Sequence, residues 1–217
     1  MVLTTVTIIR HGQSQHNVDR DYKYRDPSLT DLGRQQASAI LVASAPDLIV
    51  ISPMTRTIQT ALLAFKDLGN DPRSRTAVQI WPDLREAHDA ICNKGVSRAE
   101  LSAKFPQFDF SECREQWDYE EHSHEAAVVR AERVRRLLQD MSQRYRNIYV
   151  VTHRGFIAYL VKGTRFDTGE LRQYQFAPSS PSNDKRLGLN VDSGLEQDFG
   201  PTMLVPVVIP SGENEES

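Results

Sequence analysis

Residues Thr4-Thr5-Val6-Thr7-Ile8-Ile9-Arg10-His11-Gly12 form a run dense in β-branched side chains that stops at an Arg-His-Gly turn. Such side chains fit a pleated, buried surface, so the run predicts a strand over residues 6–9. Far along the chain, residues 147–152 are a second apolar run, and they stop at His153-Arg154-Gly155. Parallel strands deliver their last residues to one common edge, where open α/β proteins keep their ligand crevice. Two strand ends that each carry an arginine and a histidine are the constraint the remaining sequence must satisfy.

The segments between them alternate in character. Thr30 offers an N-cap for a helix over residues 31–43. Residues 48–51 read as a short apolar strand closed by Ser52-Pro53, with a helix over 54–65 carrying Ile58, Ala61, Leu62 and Phe65 at helical spacing. Gly69-Asn70-Asp71-Pro72 is a turn signal, and residues 78–81 suggest a third strand. Ser97 with Glu100 has the spacing of a capping box. Residues 125–145 predict a helix with Val129, Val134, Leu137, Leu138 and Met141 as candidate core, and residues 156–161 begin another. Residues 13–29 read as a loop, 166–176 as an edge strand, 179–200 as an irregular loop and 202–209 as a further strand. This alternation argues for a three-layer α/β/α sandwich with a mostly parallel central sheet. We expect one domain over residues 1–210, with a cap excursion near 83–124 over the active face, and a disordered acidic tail over 211–217.

A formal net charge of -3 argues against a general nucleic-acid binder without excluding a local basic pocket. Two cysteines, Cys92 and Cys113, make no disulfide framework and are expected as unpaired thiols. No apolar run approaches the roughly 18 residues that span a bilayer. The apolar N-terminal stretch lacks a basic leader and is broken by Arg10, unlike a signal peptide. The expectation is a cytoplasmic protein without a membrane partner.

A third strand end, residues 48–51, places Arg56 in the first turn of the following helix. Arginine matches phosphate through its planar donor fork. His11, His153, Arg10 and Arg56 converging on one edge would form a phosphate-sized pocket. A neutral imidazole is a competent nucleophile. A histidine pair could also bind a metal, but flanking arginines repel a cation.

At this point the chain resembles the histidine phosphatase superfamily, in its phosphoglycerate mutase-like branch. The resemblance rests on Arg10-His11-Gly12 with Gln13, Ser14 and Asn17, on Leu29-Thr30-Asp31-Leu32-Gly33, on the run from Ser52 through Arg56 to Thr60, on Leu84-Arg85-Glu86 and on Val151-Thr152-His153-Arg154-Gly155. It implies that His11 is the nucleophile and carries a phosphohistidine. It further implies that Arg10, Arg56 and His153 hold the phosphoryl group, that Asn17 contacts the same oxygens, and that Glu86 is the proton donor and then the base for water. No metal or cofactor is implied. The partner is a small phosphorylated molecule, and a homodimer is left open.

Three features depart from the family pattern. Arg154 stands where a small residue is usual, and either adds positive charge at the substrate mouth, crowds the pocket or points away. The stretch Ala87-His88-Asp89-Ala90-Ile91-Cys92-Asn93-Lys94-Gly95 is shorter than the mutase insert, which favours phosphomonoester hydrolysis over mutase-type transfer and makes His88 and Asp89 alternative proton carriers. A pocket that has lost phosphatase chemistry and binds or transforms another organic anion is a further alternative. The chain beyond Phe176 has no assigned counterpart. Phe105, Phe108, Phe110, Trp117 and Tyr119 either line a substrate pocket or pack a cap on the core. Glu120, Glu121, His122 and His124 are expected to be solvated.

Overall fold

The computed structural model describes residues 4–19, 21–66, 68–69, 74–118, 123–177 and 182–207. In chain order the elements are β1 (Thr5–Arg10), α1 (Gln15–Val18), α2 (Asp31–Ser38), β2 (Leu48–Ile51), α3 (Thr55–Ala64), β3 (Ala77–Ile80), α4 (Arg98–Lys104), α5 (His124–Met141), β4 (Asn147–Thr152), α6 (Arg154–Leu160), β5 (Leu171–Phe176), α7 (Asn183–Arg186), β6 (Leu187–Leu189), β7 (Glu196–Asp198) and β8 (Leu204–Pro206). Short 3-10 turns lie at Pro82–Leu84 and Ile91–Asn93.

Six strands pair in the order β3-β2-β4-β1-β5-β8. The first four are mutually parallel, and β5 runs antiparallel to both of its neighbours. Alternate side chains leave opposite faces of a strand. Val6, Ile8, Leu48, Val50, Ile148 and Val150 therefore pack with α5 and α6, in one core with Ala131, Val134, Leu138 and Phe156. Ile9, Ile49, Ile51 and Val151 meet α3 on the other face, with Ile58, Ala61 and Phe65. This is the expected α/β/α sandwich with a mostly parallel sheet.

Several element bounds differ from the sequence reading, each for a local reason. The helix starting at Asp31 ends at Ser38 rather than near residue 43, because Ile40 turns into the core while Leu41 is 84% exposed and leaves no apolar face to continue. The expected edge strand is internal and begins at Leu171, since β8 pairs outside it. β8 ends in Pro206, whose missing N–H suits an edge position. Along α5 the buried stripe is Ala127, Arg130, Ala131, Val134, Arg135 and Leu138, whereas Val129 and Leu137 face solvent. Arg135 sits there because its guanidinium donates to the Tyr159 and Leu160 carbonyls that end α6.

Phe105, Phe108, Phe110 and Trp117 are buried in the α3-side core, so these aromatics are packing residues. Tyr119, Glu120, Glu121 and His122 lie outside the described residues, as do residues 211–217. Ser97 and Glu100 form the expected capping box of α4. The region expected to be irregular after residue 179 contains α7 and a β6–β7 hairpin. Cys92 and Cys113 are free thiols.

Two glycines fix how β1 leaves the sheet. A Cβ on Gly12 would lie 2.4 Å from the Gly33 carbonyl oxygen, and one on Gly33 would lie 1.8 Å from the Gln13 carbonyl oxygen. Backbone thus touches backbone where the turn after β1 crosses the start of α2, and Thr30 caps that helix through the Gly33 N–H at 3.0 Å. Gly33→Ala must separate two main chains rather than move a flexible side chain. It is expected to lower the unfolding free energy by roughly 3 kcal/mol or more, read from equilibrium urea denaturation.

Candidate active site

Pairing of β1 with β4 aligns Arg10 with Thr152. The next residues, His11 and His153, therefore emerge side by side, and the His11 N–H donates to the Thr152 carbonyl at 3.0 Å. Their ring centres are 5.2 Å apart, and both rings are buried. His11 Nδ1 lies 2.7 Å from the Gly12 carbonyl oxygen. A carbonyl only accepts, so Nδ1 carries the proton and Nε2 keeps its lone pair. Burial, then Arg56 and Arg10, hold the His11 pKa well below the usual histidine value, so the ring is neutral.

Arg56 faces that lone pair, with Nε donating to His11 Nε2 at 3.3 Å. Its two terminal nitrogens donate to the Cys92 carbonyl and to Asn93 Oδ1. Helix α3, which carries Arg56, has Met54 at its N-cap and so no capping side chain of its own. Asp26 supplies the cap from the preceding loop, accepting from the Thr55 N–H at 2.8 Å and the Thr55 hydroxyl at 2.5 Å. Asp26 itself has φ of 44°, a left-handed geometry that aspartate tolerates better than most residues.

Arg10 donates to the Phe166 carbonyl at 2.7 Å, while its Nε is buried without a hydrogen-bond partner among the described residues. Its pKa is lowered to about 10 by burial and then by Arg154. His153 Nε2 lies 2.8 Å from Ser52 Oγ, and its Nδ1 is likewise unpartnered among the described residues. A buried unsatisfied polar atom costs about 1–3 kcal/mol, so two of them beside one imidazole indicate a site built for a ligand's acceptors or donors.

Glu86 reaches the same edge from the segment after β3. Its two carboxylate oxygens accept from the Ala87 N–H at 2.7 Å and the Gly155 N–H at 3.2 Å. A Cβ on Gly155 would stand 2.5 Å from Glu86 Oε1, so this glycine makes room for the carboxylate. The Glu86 segment is clamped from α5. Arg130 donates to the carbonyls of Asp83, Arg85 and Glu86 and stacks on Phe156 at 4.1 Å.

Arg10, His11, His16, Asn17, Glu86, His88, Asn93 and Arg154 enclose a cavity of about 410 Å³. Of the residues singled out in the sequence, Arg10, His11, Asn17, Glu86, His88 and Arg154 line it. Arg56 and His153 stand behind, against His11. Asp89 is not part of it, being 70% exposed and paired with Lys94 at 2.8 Å. A larger groove of about 810 Å³ runs along β3 and α5, but it contains no histidine and neither Arg10 nor Arg56. Chemistry rather than size identifies the candidate site.

Five contributors escaped the sequence reading. His16 precedes Asn17 and has a pKa lowered to about 3 by burial and by Arg56, so it presents a neutral ring to the cavity. Asn93 and Asp26 hold Arg56 and its helix. Arg130 left a signal, because an arginine interrupts the apolar stripe of α5 at buried spacing. Asp192 left none, because it arrives from the hairpin after residue 182.

The histidine phosphatase superfamily (branch 1) model matches residues 6–182. The chain belongs to this superfamily. Within the superfamily it is similar to a probable phosphatase of Schizosaccharomyces pombe, at 34% identity over 118 residues, covering 51% of this chain and 54% of that protein. The match therefore spans about half of that relative's length. It is 29% identical over 161 residues to the adenosylcobalamin/alpha-ribazole phosphatase of Escherichia coli, covering 71% and 75% of the two chains. The solved alpha-ribazole phosphatase of Shigella flexneri shares the fold, with a TM-score of 0.57 at 23% identity over 81% of this chain and 92% of that one. Among the described residues of this superfamily member, no helix is long and apolar enough to cross a membrane.

The lowered histidine pKa values make stability depend on pH with a definite sign. His11 and His153 stay neutral when folded but take up a proton below about 6.5 when unfolded. Acid therefore favours the unfolded chain, and the stability present above that pH is lost as pH falls. His88, whose pKa is raised by its bond to Asp192, works in the opposite direction. Urea unfolding at pH 7.5, 6.0 and 5.0 is expected to show a decline of up to ~1.4 kcal/mol per pH unit for each buried histidine. The decline should be shallower in His153→Gln.

Proposed function

We propose that the protein is a phosphomonoesterase that hydrolyses a small organic phosphate through a phosphohistidine intermediate on His11. The observation that carries this reading is the fixed tautomer of His11, whose lone pair on Nε2 lies between Arg56, Arg10 and His153. Its relatives named as phosphatases support the same chemistry.

In the first step Nε2 bonds to phosphorus and the ester P–O bond breaks. Glu86 gives a proton to the leaving alcohol oxygen, and the other imidazole proton stays on Nδ1, hydrogen-bonded to the Gly12 carbonyl. Charge that develops on the equatorial oxygens is met by Arg10, Arg56, His153 and the Asn17 amide, held in place before substrate arrives. In the second step Glu86, now a carboxylate, takes a proton from water. The water oxygen bonds to phosphorus, the P–N bond breaks, and the electron pair returns to Nε2. Inorganic phosphate leaves and Glu86 is protonated again.

Wild type is expected to hydrolyse p-nitrophenyl phosphate, and His11→Ala to lose roughly 10³-fold or more in kcat. Equal rates for the two would remove His11 from the chemistry. Acid-labile, base-stable phosphate on the quenched wild-type protein, absent from His11→Ala, is the second readout. Glu86→Gln should lose roughly 10²- to 10⁴-fold on an alkyl phosphate. It should lose much less on p-nitrophenyl phosphate, whose leaving group needs little protonation.

A further inference from the structure

Beyond the ring of residues that faces the phosphoryl group, one carboxylate gathers three basic side chains. The side chain of Asp192 is almost fully buried, at 2% exposure, and its Oδ2 lies 2.6 Å from His88 Nε2. Its Oδ1 lies 3.1 Å from Arg154 Nε and 3.2 Å from Arg165 Nε. The backbone around it is pinned. Asn190 Oδ1 accepts from the N–H groups of Asp192 and Ser193, both at 2.9 Å. Gln197 donates to the Ala158 carbonyl and ties the hairpin to α6. Asp192 is therefore placed by the β6–β7 hairpin, and it in turn places Arg154 and His88.

The charges around this carboxylate do not balance. Arg154, Arg165 and His88 face one anion, and the Asp192 contact keeps His88 toward its protonated form. Glu86 is the other acid on the cavity wall, and it faces Arg10 as well as His88. The contact of Arg154 Nε with Asp192 is an ion pair without hydrogen-bond geometry, and among the described residues the two terminal nitrogens of Arg154 make no hydrogen bond. A half-exposed arginine is ordinarily free to leave such a wall. Here a buried counter-ion holds it in place with its planar fork unused. Preorganised forks of this kind bind carboxylate and phosphate groups. Arg154 cannot duplicate Arg10 and Arg56, because it is 42% exposed at the rim while His11 is buried.

We infer that Arg154 and His88, positioned by Asp192, bind a second anionic group of the substrate, so that the protein acts on organic phosphates bearing a carboxylate or a second phosphate. This rests on the phosphatase reading above and adds a specificity determinant to it. Arg154 and His88 touch the substrate's far end, whereas Asp192 and Arg165 are positioning residues.

Flexible-chain substrates test the inference without presuming a distance. Initial phosphate release would be compared for n-butyl phosphate, 4-phosphooxybutanoate and 1,4-butanediol bisphosphate. Wild type is expected to favour one or both charged chains by ~10-fold or more in kcat/KM, mainly through KM. The carboxylate and bisphosphate arms distinguish which anion is taken. Arg154→Gln and His88→Gln should bring the charged-to-neutral ratio toward one, Asp192→Asn should lower it, and Arg154→Lys should restore part of it. A merely structural role for Arg154 would lower all three rates together and leave the ratio intact, which would overturn the inference. Wild-type turnover without any preference would overturn the subsite and leave the phosphatase reading standing. No turnover of any substrate, p-nitrophenyl phosphate included, would overturn the phosphatase reading and the subsite with it.

Discussion

The parallel register of β1 against β4 is the interaction on which the site depends. Arg10 opposite Thr152 brings two histidines from distant parts of the chain to one sheet edge, with 5.2 Å between their rings. A slip by one residue would turn His11 or His153 to the other face and mismatch the alternating cores. The register is held from both sides. Val6 and Ile8 are committed to the α5–α6 core, and Ile9 and Val151 to the α3 core. Hydrophobic alternation thus also builds the candidate site, because the same pattern that buries the strands aligns their polar ends.

Much of this was legible because it is local. β-branched runs, Thr30 as a cap and the Ser97–Glu100 box each declare an element within a few residues. The strand-end histidines and Arg56 could be assigned to one edge because parallel strands share direction. What escaped was non-local. Asp26 caps a helix that begins 29 residues later in the chain, and only the absence of a capping side chain at Met54 hinted at it. The aromatic residues near the excursion could be read as a pocket wall because composition does not say which face they bury. Val129 and Leu137 looked like core because arginines occupy positions that an apolar pattern should have filled.

Those arginines show a second organising device. Arg56, Arg130 and Arg135 are all buried, and much of their hydrogen bonding goes to main-chain carbonyls. A carbonyl partner satisfies a guanidinium without neutralising it. For Arg56 and Arg130 the positive charge is therefore preserved near the cavity, whereas Arg135 is also paired with Glu132 at 3.1 Å; together the three stitch the segments carrying Cys92, Glu86 and the end of α6. Burial would ordinarily penalise such charges severely. The planar five-donor fork reduces that penalty by engaging several carbonyls at once.

The orientation of His11 has a consequence for how the protein tolerates genetic change. Its ring is steered by the Gly12 carbonyl, a main-chain atom, and not by a partner side chain. A carboxylate in that position would be one codon away from loss, whereas a peptide carbonyl is present whatever residue the gene encodes. The tautomer of the ring is in this sense inherited from the backbone. Its one point of vulnerability is steric, at the crossing of Gly12 and Gly33, where the path of that peptide is decided.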